Sequence, residues 1–198
     1  MQTKVLPTTQ AAAGVPRLRW TLTEFERLAE LGFFREEDHI ELIGGELVPL
    51  APKTVRHEVM RGEFGNCRPM RGLPKDLGTA VALGWRVSED TYLEPDFLCY
   101  PEARKRDIPW LPPTEVLLAI EIADLSLEFD TTFKAKLYAT LGVREYWVVN
   151  VVSPATHVYC NPSAGGYAEA RTVPASEPLT PLLVPSFVMR LADLRIEK

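Results

Sequence analysis

The stretch "VLLAIEIADLS", residues 116–126, sets an acid inside an apolar run. Val116 to Ile122 reads as a fully buried strand, and the charge of Glu121 within it is costly to bury unless something pairs with it. Alternation puts Val116, Leu118, Ile120 and Ile122 on one face, and Leu117, Ala119, Glu121 and Ala123 on the other. Lys134 is the natural partner. On the helix that follows, Phe133, Leu137, Tyr138 and Leu141 define an apolar arc; Lys134 falls inside it and Lys136 outside. A second acid, Asp96, follows Pro95 at the head of the apolar strand "PDFLCY". Pro95 cannot donate to a sheet ladder, so this is a strand end or edge, where an Asp is most often a turn or cap residue. Glu121 with Lys134 makes either a structural ion pair or part of a site that uses the charges, and pattern alone leaves both open.

The elements that must position these residues can be read along the chain. "MQTKVLPTTQAAAGVP", residues 1–16, is small, polar and Pro-containing, and is expected to be a flexible N-terminal arm in front of a single domain over 17–198. Thr21 and Glu24 have capping-box spacing, and Leu22, Phe25, Leu28, Ala29 and Leu31 form a helical stripe that Gly32 ends. "HIELIGGELVPL" predicts a hairpin turning at Gly44-Gly45. Thr54 is expected to cap a helix from about Val55 to Cys67, with Val55, Val59, Met60, Phe64 and Cys67 on one side. "GTAVALGWRVSED" and "EPDFLCY" read as strands, and "PEARKRDIPWLPPTE" as a loop. Asp130 is expected to cap the helix that ends at Gly142; "EYWVVNVV" is a buried strand, and a late hairpin turns near Gly165-Gly166. The sum is a mixed α/β domain in which residues 55–150 run helix, three strands, helix, strand, with a helix and hairpin added in front.

Composition narrows the function classes. The 198 residues are 46% hydrophobic and 25% charged, with a formal net charge of −5. That balance disfavours a simple electrostatic nucleic-acid binder, yet it leaves room for an enzyme that meets phosphates through bound cations. No apolar run suits a membrane span, and no secretory signal is expected at the N-terminus. Cys67, Cys99 and Cys160 are odd in number and widely spaced, which fits neither a disulfide framework nor a zinc site and suits a cytoplasmic location. There is no Walker-type loop, dinucleotide fingerprint or nucleophile elbow.

Taken in order, "ELIGGEL" (41–47), His57, "EPD" (94–96), "EIADLS" (121–126), "DTTFKAKLYATLGV" (130–143) and "GVREYW" (142–147) resemble the bacterial "putative restriction endonuclease" family of the PD-(D/E)xK nuclease superfamily. The resemblance spans most of residues 20–195 and implies a restriction-endonuclease-like αβββαβ core. It also implies that Asp96 and Glu121 are metal-binding acids and Lys134 the catalytic lysine of an endonuclease that cleaves DNA with Mg²⁺ or Mn²⁺. Two carboxylates supply the hard oxygen ligands such a cation takes, and a lysine beside them can orient water or offset phosphoryl charge. Ala123 stands where the superfamily's usual lysine would be, two residues after the acid; Lys134 on the following helix matches the closer family instead. "IADLS" replaces a more usual Ser-Pro pair, and Asp124 there is read as a turn residue rather than a ligand. Glu41 and His57 are possible supporting residues, each with an ordinary alternative: a solvated hairpin acid and a satisfied semi-buried histidine. His39 and His157 read as structural, and Tyr146 and Trp147 as core. Arg56, Arg61, Arg68 and Arg71 around the second helix, with "RKR" at 104–106, are the local basic surface available to a phosphate backbone. A homodimer is expected from the need to cut two strands and from the long apolar C-terminal segment. The competing reading is a catalytically inactive nuclease-fold module for nucleic-acid or protein interaction, with Glu121 and Lys134 as a structural pair.

Overall fold

The computed structural model describes residues 8–10, 14–35 and 37–194. Within the expected arm, β1 (Thr8–Gln10) pairs antiparallel with β2 (Pro16–Leu18) in a short, mostly exposed ribbon. Residues 1–7 and 11–13 of that arm lie outside the described residues. Next come α1 (Leu22–Glu30), the hairpin of β3 (Ile40–Ile43) and β4 (Glu46–Pro49), and α2 (Val55–Asn66), with a single turn α3 (Arg68–Arg71) behind it. Then follow β5 (Leu77–Val81), β6 (Trp85–Ser88), β7 (Thr91–Leu93) and β8 (Phe97–Pro101). The stretch read as a loop folds into 3-10 turns at Glu102–Trp110 and Pro113–Glu115 before β9 (Leu118–Ala123). One continuous helical rod then runs from α4 (Leu127–Phe129) through a π-turn (Asp130–Lys134) into α5 (Ala135–Leu141). Strands β10 (Glu145–Asn150), β11 (Ala155–Ser163) and β12 (Gly166–Pro174) complete the order.

Local chemistry accounts for most of these boundaries. The Glu24 N–H donates to Thr21 Oγ1 at 3.2 Å and the Thr21 N–H donates to Glu24 Oε2 at 2.9 Å, the reciprocal bonds of a capping box. Gly44 and Gly45 both sit at positive φ, as a two-residue hairpin turn with matching twist requires. Gly142 ends the rod in the left-handed region at φ +84°.

The described residues divide into two compact units, one up to Pro52 together with Gly84–Glu94, the other Lys53–Leu83 together with the residues from Pro95. The sequence expects one domain from residue 17 and three strands between the two core helices; five strands occur there, and β6 and β7 leave for the first unit, so that β5, β8 and β9 remain in the second. There Tyr92 of β7 lies opposite Leu42 of β3 and packs with Leu22, Phe25 and Leu47, giving a sheet of order β4-β3-β7-β6. An apolar contact set of its own, not proximity in sequence, draws that hairpin to β3.

The second unit holds a six-stranded sheet of order β12-β11-β10-β9-β8-β5. Its one parallel pair, β9 with β10, is joined by the rod, and every residue of both strands is buried, as expected for central strands covered on two faces. One face carries the main core, with Met60, Phe64, Phe97, Ile120, Trp147 and Phe187 among its members. The late hairpin forms as expected, with Ser163 opposite Gly166. Leu179, Val184, Phe187, Met189 and Leu191 from the C-terminal segment join this core, so its apolar surplus is mostly internal, although Leu182 and Val188 stay exposed. Among the described residues no helix is long and apolar enough to cross a membrane.

Candidate active site

Asp96 and Glu121 meet because β8 and β9 run antiparallel with Phe97 opposite Ile120. One step further along that register sets Asp96 against Glu121, and each carboxylate takes a backbone donor from the other strand. The Asp96 N–H donates to Glu121 Oε2 at 3.4 Å, and the Ile122 N–H donates to Asp96 Oδ2 at 2.8 Å. From the rod, Lys134 Nζ donates to Glu121 Oε1 at 2.8 Å and the Tyr138 hydroxyl donates to the same oxygen at 3.0 Å. Asp96, Glu121, Lys134 and Tyr138 are each no more than 5% exposed. The three residues singled out in the sequence therefore belong to one buried cluster, and Tyr138 is a fourth member that the sequence reading left in the apolar arc. The signal that could have found it is its spacing of four from Lys134, which stacks the two side chains on one face.

The rod differs from expectation at its start. Asp130 is not its cap: the rod begins at Leu127 with Ser126 at its head, and Asp130 is buried inside the π-turn, accepting from Ser126 Oγ at 2.6 Å. The wide turn shifts the phase of the helix, so its buried face is Lys134, Ala135, Tyr138 and Ala139. Phe133, expected on that arc, is 46% exposed and stacks on Phe129 with ring centroids 5.1 Å apart. Two tyrosine hydroxyls from the sheet brace the turn, Tyr146 donating to the Asp130 carbonyl and Tyr159 to the Thr131 carbonyl, each at 3.2 Å.

His57 reaches Asp96 from α2. The stripe expected there is rotated: Val55 is 81% exposed and Val59 also faces solvent, while His57, Met60 and Phe64 form the buried face. Thr54 caps the helix as expected, accepting from the His57 N–H at 3.1 Å. His57 Nε2 lies 3.1 Å from Asp96 Oδ2 and Nδ1 lies 3.1 Å from Glu58 Oε1. Burial acts to lower the pKa of the ring, but the Asp96 and Glu58 carboxylates outweigh it and raise it above the ordinary value. Asp96 Oδ2 thus serves the Ile122 amide and His57, while Asp96 Oδ1 is buried with no hydrogen-bond partner.

Asp124, just past β9, accepts from Thr54 Oγ1 at 2.5 Å and lies 3.6 Å from an Arg56 nitrogen, which ties it to the head of α2 as a turn residue would be. Glu41 is fully buried in β3 of the first unit, where its Oε1 accepts from the Glu94 N–H at 2.8 Å; it is not a solvated hairpin acid. Arg104 and Lys105 of the basic run are ion-paired with Glu115 and Glu102. Tyr146 and Trp147 are core residues, as read. Burial pushes the Cys99 thiol up to about 12 and the Cys160 thiol up to about 11, so neither is a nucleophile at neutral pH.

With this geometry in hand, residues 22–192 match the model of a family described as "Uma2: Putative restriction endonuclease". The chain belongs to the Uma2 family. Comparison with curated proteins gives no significant match. Among solved structures, the crystal structure of "a putative nuclease belonging to DUF820" from Anabaena variabilis ATCC 29413 superposes with a TM-score of 0.66. Sequence identity is 17%, over 87% of this chain and 96% of that one. At that identity the likeness is one of fold. The fold class read from the sequence holds in this Uma2 protein: α2, β5, β8, β9, the rod and β10 follow one another in αβββαβ order within a mixed α/β unit.

Proposed function

We propose that this Uma2 protein is an endonuclease that hydrolyses phosphodiester bonds in DNA with a divalent cation, Mg²⁺ or Mn²⁺, held by Asp96 and Glu121. The observation that carries the reading is the buried Asp96 Oδ1 without a partner, beside the Glu121 carboxylate. A buried carboxylate oxygen left unpaired is costly, and a cation relieves that cost. Two carboxylates fit a hard cation that keeps several waters and takes its remaining ligands from substrate phosphate. Among the described residues no three His, Cys, Asp or Glu side chains group to hold a metal ion, so the reading rests on the two carboxylates alone. When bound, such an ion supplies phosphate polarisation and a bound water of lowered pKa.

The chain's own residues divide the remaining work. Asp96 presents Oδ1, because Oδ2 is held by the Ile122 amide and His57. Glu121 sets its carboxylate beside Asp96, with Oε2 accepting from the Asp96 N–H and Oε1 engaged by Lys134 and Tyr138. Lys134, the catalytic lysine of this reading, keeps its ammonium on Glu121 Oε1, from where it would orient a water bound at the centre or offset charge gathering on the phosphoryl oxygens. Cutting both strands of a duplex takes two such centres, which a two-fold pair of chains would provide. The free thiols suit a reducing, cytoplasmic setting.

The test is cleavage of plasmid and of single- and double-stranded oligonucleotides by the intact chain with Mg²⁺ or Mn²⁺, against chelator and against Asp96→Asn. Asp96→Asn keeps an acceptor for the Ile122 amide and removes the charge. Metal-dependent products from the wild type, reduced at least a hundredfold in the variant, are expected; equal cleavage by both would contradict the assignment. One feature favours a second reading. Glu121 and Lys134 already form a complete pair, and Ala123 stands at the superfamily's lysine position. A non-catalytic module of this fold would bind nucleic acid or a protein and show no metal-dependent cleavage.

A further inference from the structure

Gly62, inside α2, has no packing role to explain it. Glycine is among the poorest helix formers, and a Cβ built at Gly62 meets nothing within 4 Å. Gly65 is different: a Cβ there would come within 3.3 Å of the Phe97 ring, so close approach of helix and strand accounts for it. The open space over Gly62 belongs to a groove of about 510 Å³, lined by Glu58, Arg61, Gly62 and Asn66 of α2 and by Val81 and Ala82 at the end of β5. Its volume falls in the range of small-ligand sites.

The groove is connected to Asp96 along both walls. On the strand side, the Ala82 N–H donates to the Asp96 carbonyl at 3.0 Å, and Ala82 is held at φ +45°, a left-handed conformation uncommon for alanine. On the helix side the contacts run from Asp96 Oδ2 to His57, from His57 to Glu58, and from Glu58 to Arg61, whose guanidinium pairs with the Glu58 carboxylate. Asn66 donates from Nδ2 to the Gly62 carbonyl at 2.9 Å, which fixes its amide at the groove wall.

We infer that this groove is a subsite for the nucleotide flanking the cleaved bond. Arg61 meets its phosphate, since a guanidinium offers several donors in a plane suited to phosphate oxygens. The Asn66 amide meets the base edge, and the bare backbone at Gly62 leaves room for the sugar. This assignment rests on reading the Asp96 centre as a nuclease site.

The experiment is titration of nucleoside 5′-monophosphates into the intact chain, followed by backbone amide chemical shifts, for the wild type, Gly62→Leu, Asn66→Asp and Asp96→Asn. Gly62→Leu fills the groove while improving helix propensity, and Asn66→Asp puts a negative charge at its wall, so loss of binding in both is not a folding effect. Shifts are expected at Gly62, Asn66 and Ala82, with binding at least about tenfold weaker in Gly62→Leu and Asn66→Asp and retained in Asp96→Asn. Unchanged affinity in both groove variants, or no shifts at these amides in the wild type at millimolar nucleotide, would overturn the inference. Binding with this variant pattern but no metal-dependent cleavage supports the groove as a nucleotide site and removes the nuclease reading, together with the place beside a cleaved bond. Cleavage without nucleotide shifts does the reverse.

Discussion

Glu121 and Lys134 set opposite charges 2.8 Å apart with almost no exposure. Removing one of them leaves the other charge buried without its counter-charge, which costs more than one lost hydrogen bond. Lys134→Met is therefore expected to lower the unfolding free energy by roughly 3–5 kcal/mol, and Lys134→Met combined with Glu121→Gln to recover much of that loss. Urea unfolding of the two single variants and the double variant checks this; strictly additive effects would mean the charges are not coupled. These two residues were legible in the sequence because each violates a pattern, an acid in an apolar strand and a lysine on an apolar arc. Tyr138 violates none, since a tyrosine is at home in a core, and only its hydroxyl reveals its membership. His57 was legible as a candidate but not as the partner of Asp96, because that contact depends on how α2 rolls against the sheet.

At the scale of elements, the π-turn at Asp130–Lys134 explains why the sequence placed the rod and mis-phased its face. A helix period of 3.6 residues carried through the segment puts Phe133 inward along with Lys134 and Tyr138; with the widened turn, Phe133 lies outside the buried face while Lys134 and Tyr138 keep their place on Glu121. Nothing in the residue pattern announces such a turn, because the hydroxyls that brace it come from Tyr146 and Tyr159 on other strands. The hairpin at Gly44-Gly45 and the stop at Gly142 were readable, since turn glycines are local signals, whereas "GTAVALGWRVSED", read as one strand, breaks into β5 and β6 and is followed by β7. Gly142 also yields a prediction. Its φ of +84° and the 3.1 Å approach of Thr114 Cγ2 to a Cβ built there oppose any side chain. Gly142→Ala is expected to cost about 1–2 kcal/mol in thermal or urea unfolding, and no loss would mean the rod ends in another conformation.

At the scale of the molecule, the chain leaves its second unit at Leu83 and returns at Pro95, so each unit is closed by residues distant in sequence. That interleaving was the least legible feature, because the choice of β6 and β7 between two sheets is made by packing partners and not by strand propensity. Global stability should also carry the mark of Glu145, at the head of β10. Burial raises its carboxyl above the ordinary value of 4.5, against the lowering effect of the Leu182 amide, the Trp147 ring N–H and Arg171. A carboxyl raised in the folded state holds its proton more tightly folded than unfolded. Its stabilising contribution is therefore fully present below 4.5 and is lost as pH rises through the folded value. Glu145→Gln is expected to flatten this part of the pH dependence in thermal unfolding; an unchanged slope would assign it to other groups.

Asp96 and Glu121 are, in the proposed function, the ligands of a divalent cation. The most direct measurement is calorimetric titration of Mn²⁺ and Mg²⁺ into metal-free protein, with and without a DNA duplex bearing an uncleavable linkage, for the wild type and for Asp96→Asn of comparable thermal stability. Saturable binding by the wild type, weakened at least about tenfold in Asp96→Asn, is the predicted result. Equal binding by both proteins, or none by the wild type even with the duplex present, would contradict it and leave Glu121 and Lys134 as a structural ion pair.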